Sequence, residues 1–280
     1  MLPPLLSAEQ AAAYDPKPGR TGIFAYPRAV LYYIHIALAT VVLGLWGLTQ
    51  IGRGRPGAHH VATTWIGYML LAARWHLGVA VEQRGTAPTE DCIVAAKHQS
   101  FLDILAIAYA CRERGFIMKR EVLRVPIMGW YARKAGCIPI DRARGRDAMT
   151  QILAEIAQRR ADEGLGHLII YPEGTRTKPG ERRPYKHGVA TIYAGTGLPC
   201  HPVAVNCGMF WPRRGIPIRP GRAVIEFLPV IAPGLSPDAL VPELREQIET
   251  ASDRLMAEAG LSLPGPDTDR AIAQADAAKV

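Results

Sequence analysis

The chain has 280 residues, enough for one large domain or two small ones and for a sizeable buried core. Its hydrophobic content of 49% is high for a soluble protein and low for one that crosses a membrane many times, and a formal charge of +8 suits an anionic partner: lipid headgroups, a nucleotide, an acidic carrier or nucleic acid. Five scattered cysteines (Cys92, Cys111, Cys137, Cys200 and Cys207) have neither C-x-x-C nor framework spacing, which excludes a disulfide scaffold and reads as free thiols in a reducing compartment.

The start, "MLPPLLSAEQ", lacks the basic region of a secretory signal, so none is expected. Residues 30–51, "VLYYIHIALATVVLGLWGLTQI", carry no formal charge over 22 positions, long enough to cross a bilayer core. A basic turn, "GRGRPGAHH", leads to a weaker apolar stretch at 61–81 that Arg74 and His76 interrupt. Lys17, Arg20 and Arg28 precede the first run, and Arg53 and Arg55 follow it. With both flanks on the cytoplasmic side, the pair reads as a hairpin dipping into one leaflet of the inner membrane; the competing readings of the first run are a true single span and a buried core helix. The turn also spells Gly52-x-Gly54-x-x-Gly57, but it follows an apolar helix and contains Pro56, so a dinucleotide site is not expected. No Walker A sequence occurs.

From about residue 88 short β-rich runs alternate with helical ones. Candidate strands are 92–96, 115–118, 137–140, 167–171, 201–205 and 223–228, and candidate helices are 101–112, 126–135, 147–163, 188–194 and 237–259. The alternation predicts an α/β fold with a largely parallel mixed sheet flanked by helices, preceded by an N-terminal membrane-associated two-helix segment. The expected organisation is an anchor at 1–80, the α/β domain at 81–262 and a polar, small-residue tail at 263–280.

Polar residues collect where four of these strands end: Lys97-His98, Lys119-Arg120, Asp141-Arg142 and Pro172-Glu173-Gly174-Thr175-Arg176. In a parallel arrangement all four loops open on one edge of the sheet. Ser100-Phe-Leu-Asp103 fits a capping box opening an apolar helix. Residues five apart on a regular helix diverge by about 140°, but with Ser100 as N-cap His98 lies in the preceding loop and can fold back onto Asp103. Gly174 permits close backbone approach to a ligand, and Thr175 and Arg176 can donate to phosphate oxygens, with Glu173 placed to hold the arginine. The plain alternative is a turn with a solvated arginine. Five basic residues lie between Arg176 and Lys186, but aromatics are sparse and no nucleic-acid module is recognisable. No serine sits in G-x-S-x-G, and no histidine cluster has metal-ligand spacing. A histidine–aspartate pair without a nucleophile points to general-base activation of a substrate hydroxyl.

The blocks KHQSFLD (97–103), GCIPIDR (136–142), YPEGTR (171–176) and PCHPV (199–203), in that order, resemble the four blocks of the glycerolipid acyltransferases, most closely the bacterial 1-acyl-sn-glycerol-3-phosphate acyltransferases. In that family the first block is often Asn-His where Lys97 stands here, the third usually begins with Phe in place of Tyr171, and the second has a bulkier residue than Pro139. The resemblance implies that His98 takes the proton of the acceptor's free hydroxyl, which attacks an acyl thioester directly, while Asp103 fixes the imidazole tautomer. It further implies that Lys119, Glu173, Gly174, Thr175 and Arg176, assisted by Arg142, bind the acceptor phosphate. The implied partners are membrane lipids, lysophosphatidic acid as acceptor, and acyl-CoA or acyl-carrier protein as donor; no metal, cofactor or nucleic acid is expected. An acyltransferase for another lysolipid, such as lyso-ornithine lipid, and a non-catalytic lipid-binding protein are the competing functions.

Overall fold

The computed structural model describes residues 3–111, 113–125, 127–140, 146–162 and 164–262. The predicted fold class holds. Among the described residues eight strands form one sheet: β1 (Leu5–Leu6), β2 (Val79–Arg84), β3 (Cys92–Ala96), β4 (Arg114–Lys119), β5 (Ile138–Ile140), β6 (His167–Ile170), β7 (Cys200–Val205) and β8 (Gly221–Phe227). Their spatial order is β1-β2-β8-β7-β3-β6-β4-β5, and every pairing is parallel except β7 with β8. The helices are α1 (Ala8–Ala11), α2 (Ala25–Gly47), α3 (Gly54–Leu77), α4 (Phe101–Ala110), α5 (Met128–Lys134), α6 (Arg146–Asp162), α7 (Gly188–Thr196) and α8 (Pro237–Glu258).

Central strand β3, "CIVAA", is buried throughout, as a parallel strand covered on both faces must be. The strand period of two sorts its side chains: Cys92, Val94 and Ala96 join the core beneath α3 and α4, and Ile93 and Ala95 join the core beneath α6, α7 and α8. Because β3, β4, β5 and β6 are mutually parallel, their C-terminal ends share one edge.

The expected boundary at residue 80 does not match the strands. The stretch at 61–81 lies mostly in α3, and its last residues turn at Gly78 into buried strand β2. Arg74, which interrupts the apolar run, is satisfied inside the protein by the Pro3 carbonyl at 2.9 Å. A boundary at residue 80 therefore cuts through β2, and residues before it are not set apart, since Leu5 and Leu6 pair with Val81 and Glu82. The tail expected at 263–280 lies outside the described residues.

Helix α2 packs on α3 through buried Ala29, Tyr32 and Ile36 and turns the rest of its apolar surface outward. It meets α5 closely where Gly47 leaves no room for a Cβ beside Tyr131, whose hydroxyl donates to the Gly44 carbonyl at 3.0 Å. The stretch Ala25–Gln50, with mean hydropathy 1.9, is by length and composition able to cross a membrane, and only 22% of its apolar window is buried.

Candidate active site

Ser100 caps α4 in extended conformation and accepts the Leu102 N–H at 3.0 Å, and Asp103 reaches back one turn to complete the capping box. One carboxylate oxygen of Asp103, Oδ2, accepts the N–H groups of Gln99 and Ser100 at 2.7 and 2.6 Å. The other, Oδ1, lies 2.9 Å from His98 Nδ1. The acid that closes the helix cap thus also holds the imidazole, with His98 in the loop before the helix. Asp103 is fully buried while the His98 side chain keeps 13% exposure. With Nδ1–H donating to Asp103, Nε2 becomes the basic ring nitrogen. The ring stacks on Tyr171 at a centroid distance of 4.0 Å and an interplanar angle of 24°.

The backbone of His98 is clamped by the loop after β6. Its N–H donates to Glu173 Oε2 at 2.9 Å, and its carbonyl accepts from the Thr177 N–H at 2.8 Å and the Thr177 hydroxyl at 3.1 Å. Glu173 does not hold Arg176, contrary to the sequence reading. It is buried, 3% exposed, with Oε1 2.7 Å from Lys97 Nζ, because a cation that is itself 1% exposed needs buried carboxylates around it. Lys97 Nζ also donates to both oxygens of Glu249 on α8, at 2.8 and 2.9 Å, and the Tyr185 hydroxyl donates to Glu249 at 3.0 Å. Burial raises the Glu173 carboxyl above the usual carboxylate range, and Lys97 opposes that rise.

His98 opens onto a cavity of about 940 Å³, at the upper end of the roughly 300–1,000 Å³ range of small-molecule sites. Most of its wall is apolar, including Ile66, Phe101, Leu105, Phe116, Ile152 and Ile192. Gly174, Thr175 and Arg176 also line it, with Gly174 at φ 68° where a Cβ would strike the Lys186 side chain. Of the residues singled out in the sequence, the structure brings together His98, Asp103, Gly174, Thr175 and Arg176, and puts Glu173 beneath them. Lys119 ends β4 in register with Ile140; its side chain, and all of Arg142, lie outside the described residues.

The sequence reading missed the cavity cations Lys186 and Arg213 and the Glu249 carboxylate. Lys186 was within reach as the last residue of the basic loop. Arg213 stands in "FWPRRG", where no spacing rule singles it out, and Glu249 lies 152 positions from Lys97. Nucleophilic cysteine chemistry has no support here: all five thiols are buried, and burial pushes Cys111 and Cys200 up to about 12 and raises Cys92, Cys137 and Cys207. Among the described residues no group of three or more His, Cys, Asp or Glu is arranged to hold a metal ion.

Comparison with known proteins points the same way. A family model described as Acyltransferase matches residues 78–206, which include the loops after β3 and β6. The chain is 29% identical over 239 residues to a 1-acyl-sn-glycerol-3-phosphate acyltransferase of Pseudomonas aeruginosa, covering 82% of this chain and 91% of that one. It is 32% identical over 187 residues to the mouse 1-acyl-sn-glycerol-3-phosphate acyltransferase alpha, covering 64% of this chain and 65% of that one. In fold it is similar to the crystal structure of the 1-acyl-sn-glycerophosphate (LPA) acyltransferase PlsC of Thermotoga maritima, with a TM-score of 0.66 at 22% identity, over 83% of this chain and 97% of that one. Residues 78–206 thus match the acyltransferase family model, and the chain is similar over most of its length to 1-acyl-sn-glycerol-3-phosphate acyltransferases.

Proposed function

We propose that the protein transfers a fatty acyl group from an acyl thioester, acyl-CoA or acyl-carrier protein, to the free sn-2 hydroxyl of 1-acylglycerol 3-phosphate, giving phosphatidic acid. His98 Nε2 takes the hydroxyl proton as the oxygen attacks the thioester carbonyl. The carbon–sulfur bond then breaks, and the departing thiolate takes the proton back from the imidazolium. Asp103 holds the ring in the Nδ1–H tautomer and stabilises the transient positive charge.

The observation that carries this reading is His98, held by a buried carboxylate, at the wall of an apolar cavity that also bears Arg176. Apolar walls suit a fatty acyl chain, and the cation suits a phosphate. Arg176, Thr175 and the Gly174 backbone bind the headgroup, with Lys119 and Arg142 as further contributors, while Glu173 acts by fixing the His98 backbone and not by touching the acceptor. Lyso-ornithine lipid, which has no phosphate, has less to gain from these cations. The outward apolar face of α2 seats the enzyme on the inner membrane with the cavity on the cytoplasmic side.

The test is an assay of purified protein in mixed micelles, with an acyl thioester and a panel of lysolipids. Wild-type protein acylates 1-acylglycerol 3-phosphate in preference to lyso-ornithine lipid. His98→Ala lowers kcat by about 10²–10⁴, the usual contribution of a general base, and Asp103→Asn is severely slowed. Undiminished turnover by His98→Ala would remove the histidine from the mechanism, and absence of any thioester turnover by the wild type would leave lipid binding as the function.

A further inference from the structure

Arg213 belongs to none of the blocks that the sequence resemblance rests on, yet it lines the same cavity as Arg176 and Lys186. It is carried by the connection between β7 and β8, and that connection is pinned on both sides. Trp211 is 1% exposed, and its ring meets Tyr32 at 5.5 Å, Tyr33 at 6.1 Å and Phe101 at 6.1 Å, all edge-on. The Gly215 N–H closes a turn onto the Pro212 carbonyl at 2.8 Å, and the Tyr33 hydroxyl of α2 donates to the Gly215 carbonyl at 3.0 Å. The Arg219 N–H returns to the Phe210 carbonyl at 2.8 Å. An exposed arginine on a loose loop is ordinarily solvated and means nothing. Here the backbone on each side is tied to α2 or to itself.

Arg176, Lys186 and Arg213 have no carboxylate partner among the described residues, while nearby Arg182 and Arg183 are paired with Asp253 and Glu181. Lys186 lies against Gly174, next to Arg176 in the loop after β6. Three unpaired cations facing one cavity repel one another until an anion enters between them. A phosphate monoester carries close to two negative charges at neutral pH and three peripheral oxygens, more than one guanidinium can satisfy. Arg214, the next residue, is also exposed but does not line the cavity.

We propose that Arg213 is a specificity-determining residue that contacts the phosphate monoester of the acceptor opposite Arg176 and so ranks a dianionic headgroup above a neutral one. This rests on the acceptor reading given above and deepens it. The experiment uses the full-length protein in mixed micelles and compares wild type with Arg213→Ala and Arg214→Ala. KM is measured separately for 1-acylglycerol 3-phosphate and for the thioester donor. Arg213→Ala raises the acceptor KM about tenfold, the scale of one lost charge-assisted contact, with kcat and the donor KM near wild type. In competition with the same acyl chain on glycerol alone, its preference for the phosphate-bearing acceptor falls by a similar factor. Arg214→Ala leaves all of these within about twofold, since a charge that makes no contact contributes little at a screened surface. An unchanged acceptor KM in Arg213→Ala, an equal rise in Arg214→Ala, or a rise confined to the donor KM would each overturn the proposal. Failure of the wild type to acylate 1-acylglycerol 3-phosphate would instead overturn the acceptor reading itself, before any variant is compared.

Discussion

Tyr171 stacks its ring on the imidazole of His98, and its hydroxyl is buried without a hydrogen-bond partner among the described residues. Burial raises the phenol well above its ordinary value, so it stays neutral across the working pH range. An unsatisfied buried hydroxyl costs about 1–3 kcal/mol, whereas the ring alone makes the stack. Tyr171→Phe should therefore raise thermal stability by a few degrees, about 2–4 °C per kcal/mol at this size, and leave kcat close to wild type. Thermal denaturation in detergent and steady-state turnover check both halves. A fall in kcat with no gain in stability would give the hydroxyl a part in the chemistry. The substitution places at position 171 the phenylalanine that usually begins the third block of the glycerolipid acyltransferases the sequence resembles.

At the scale of the element, the loop after β3 is held from three directions: by its own helix α4, by the loop after β6, and by α8 through Glu249. Lys97 is the joint, a buried cation between two carboxylates. Removing it leaves Glu173 and Glu249 facing each other in a poorly solvated site, and breaking a buried pair in this way costs about 3–5 kcal/mol. Glu249→Gln keeps an acceptor for Lys97 and Tyr185 and leaves the cation one carboxylate, so it costs less. Urea midpoints should rank Lys97→Met lowest, Glu249→Gln intermediate and wild type highest; the reverse order would mean that Lys97 is not the charge that holds the network together. This network was illegible in the sequence because burial and long-range partnership leave no local pattern. Lys97 stood out only as a departure from the usual Asn-His. Strand β3 and the α4 cap were legible to the residue, since a short apolar run and S-x-x-D are both local signals. Strand β2 was not, because "VAV" continues an apolar stretch whose helical part ends only at Gly78, and periodicity does not mark that change of state.

For the whole molecule, the unresolved balance is the outward face of α2. Leu38 and Val42 are each 64% exposed and Leu45 is 61% exposed, at the i, i+4, i+7 spacing of one helical stripe. A soluble monomer seldom leaves such a stripe in water, and a protein with a formal charge of +8 is drawn to anionic lipid. Replacing Leu38 and Val42 together with Glu should lower binding to vesicles containing anionic lipid by at least about tenfold, as two buried apolar side chains are lost and two repelling charges gained. Far-UV circular dichroism should be unchanged because neither side chain enters the core. Vesicle flotation is the measurement, and undiminished flotation would sink attachment through this face.

The cavity is walled by Thr40, Leu43 and Gly44 of α2 as well as by the helices that flank the sheet. A lipid acceptor lifted into water would lose about 0.8 kcal/mol for every methylene exposed, so desorption of a long-chain lysolipid would by itself be a substantial cost. Where the lipid-facing helix is also a wall of the reaction chamber, the chain can slide from bilayer to protein without ever being wetted. Encounter would then run by lateral diffusion in the membrane plane, and the substrate concentration that matters would be a surface density in moles per cent of lipid, not a bulk molarity.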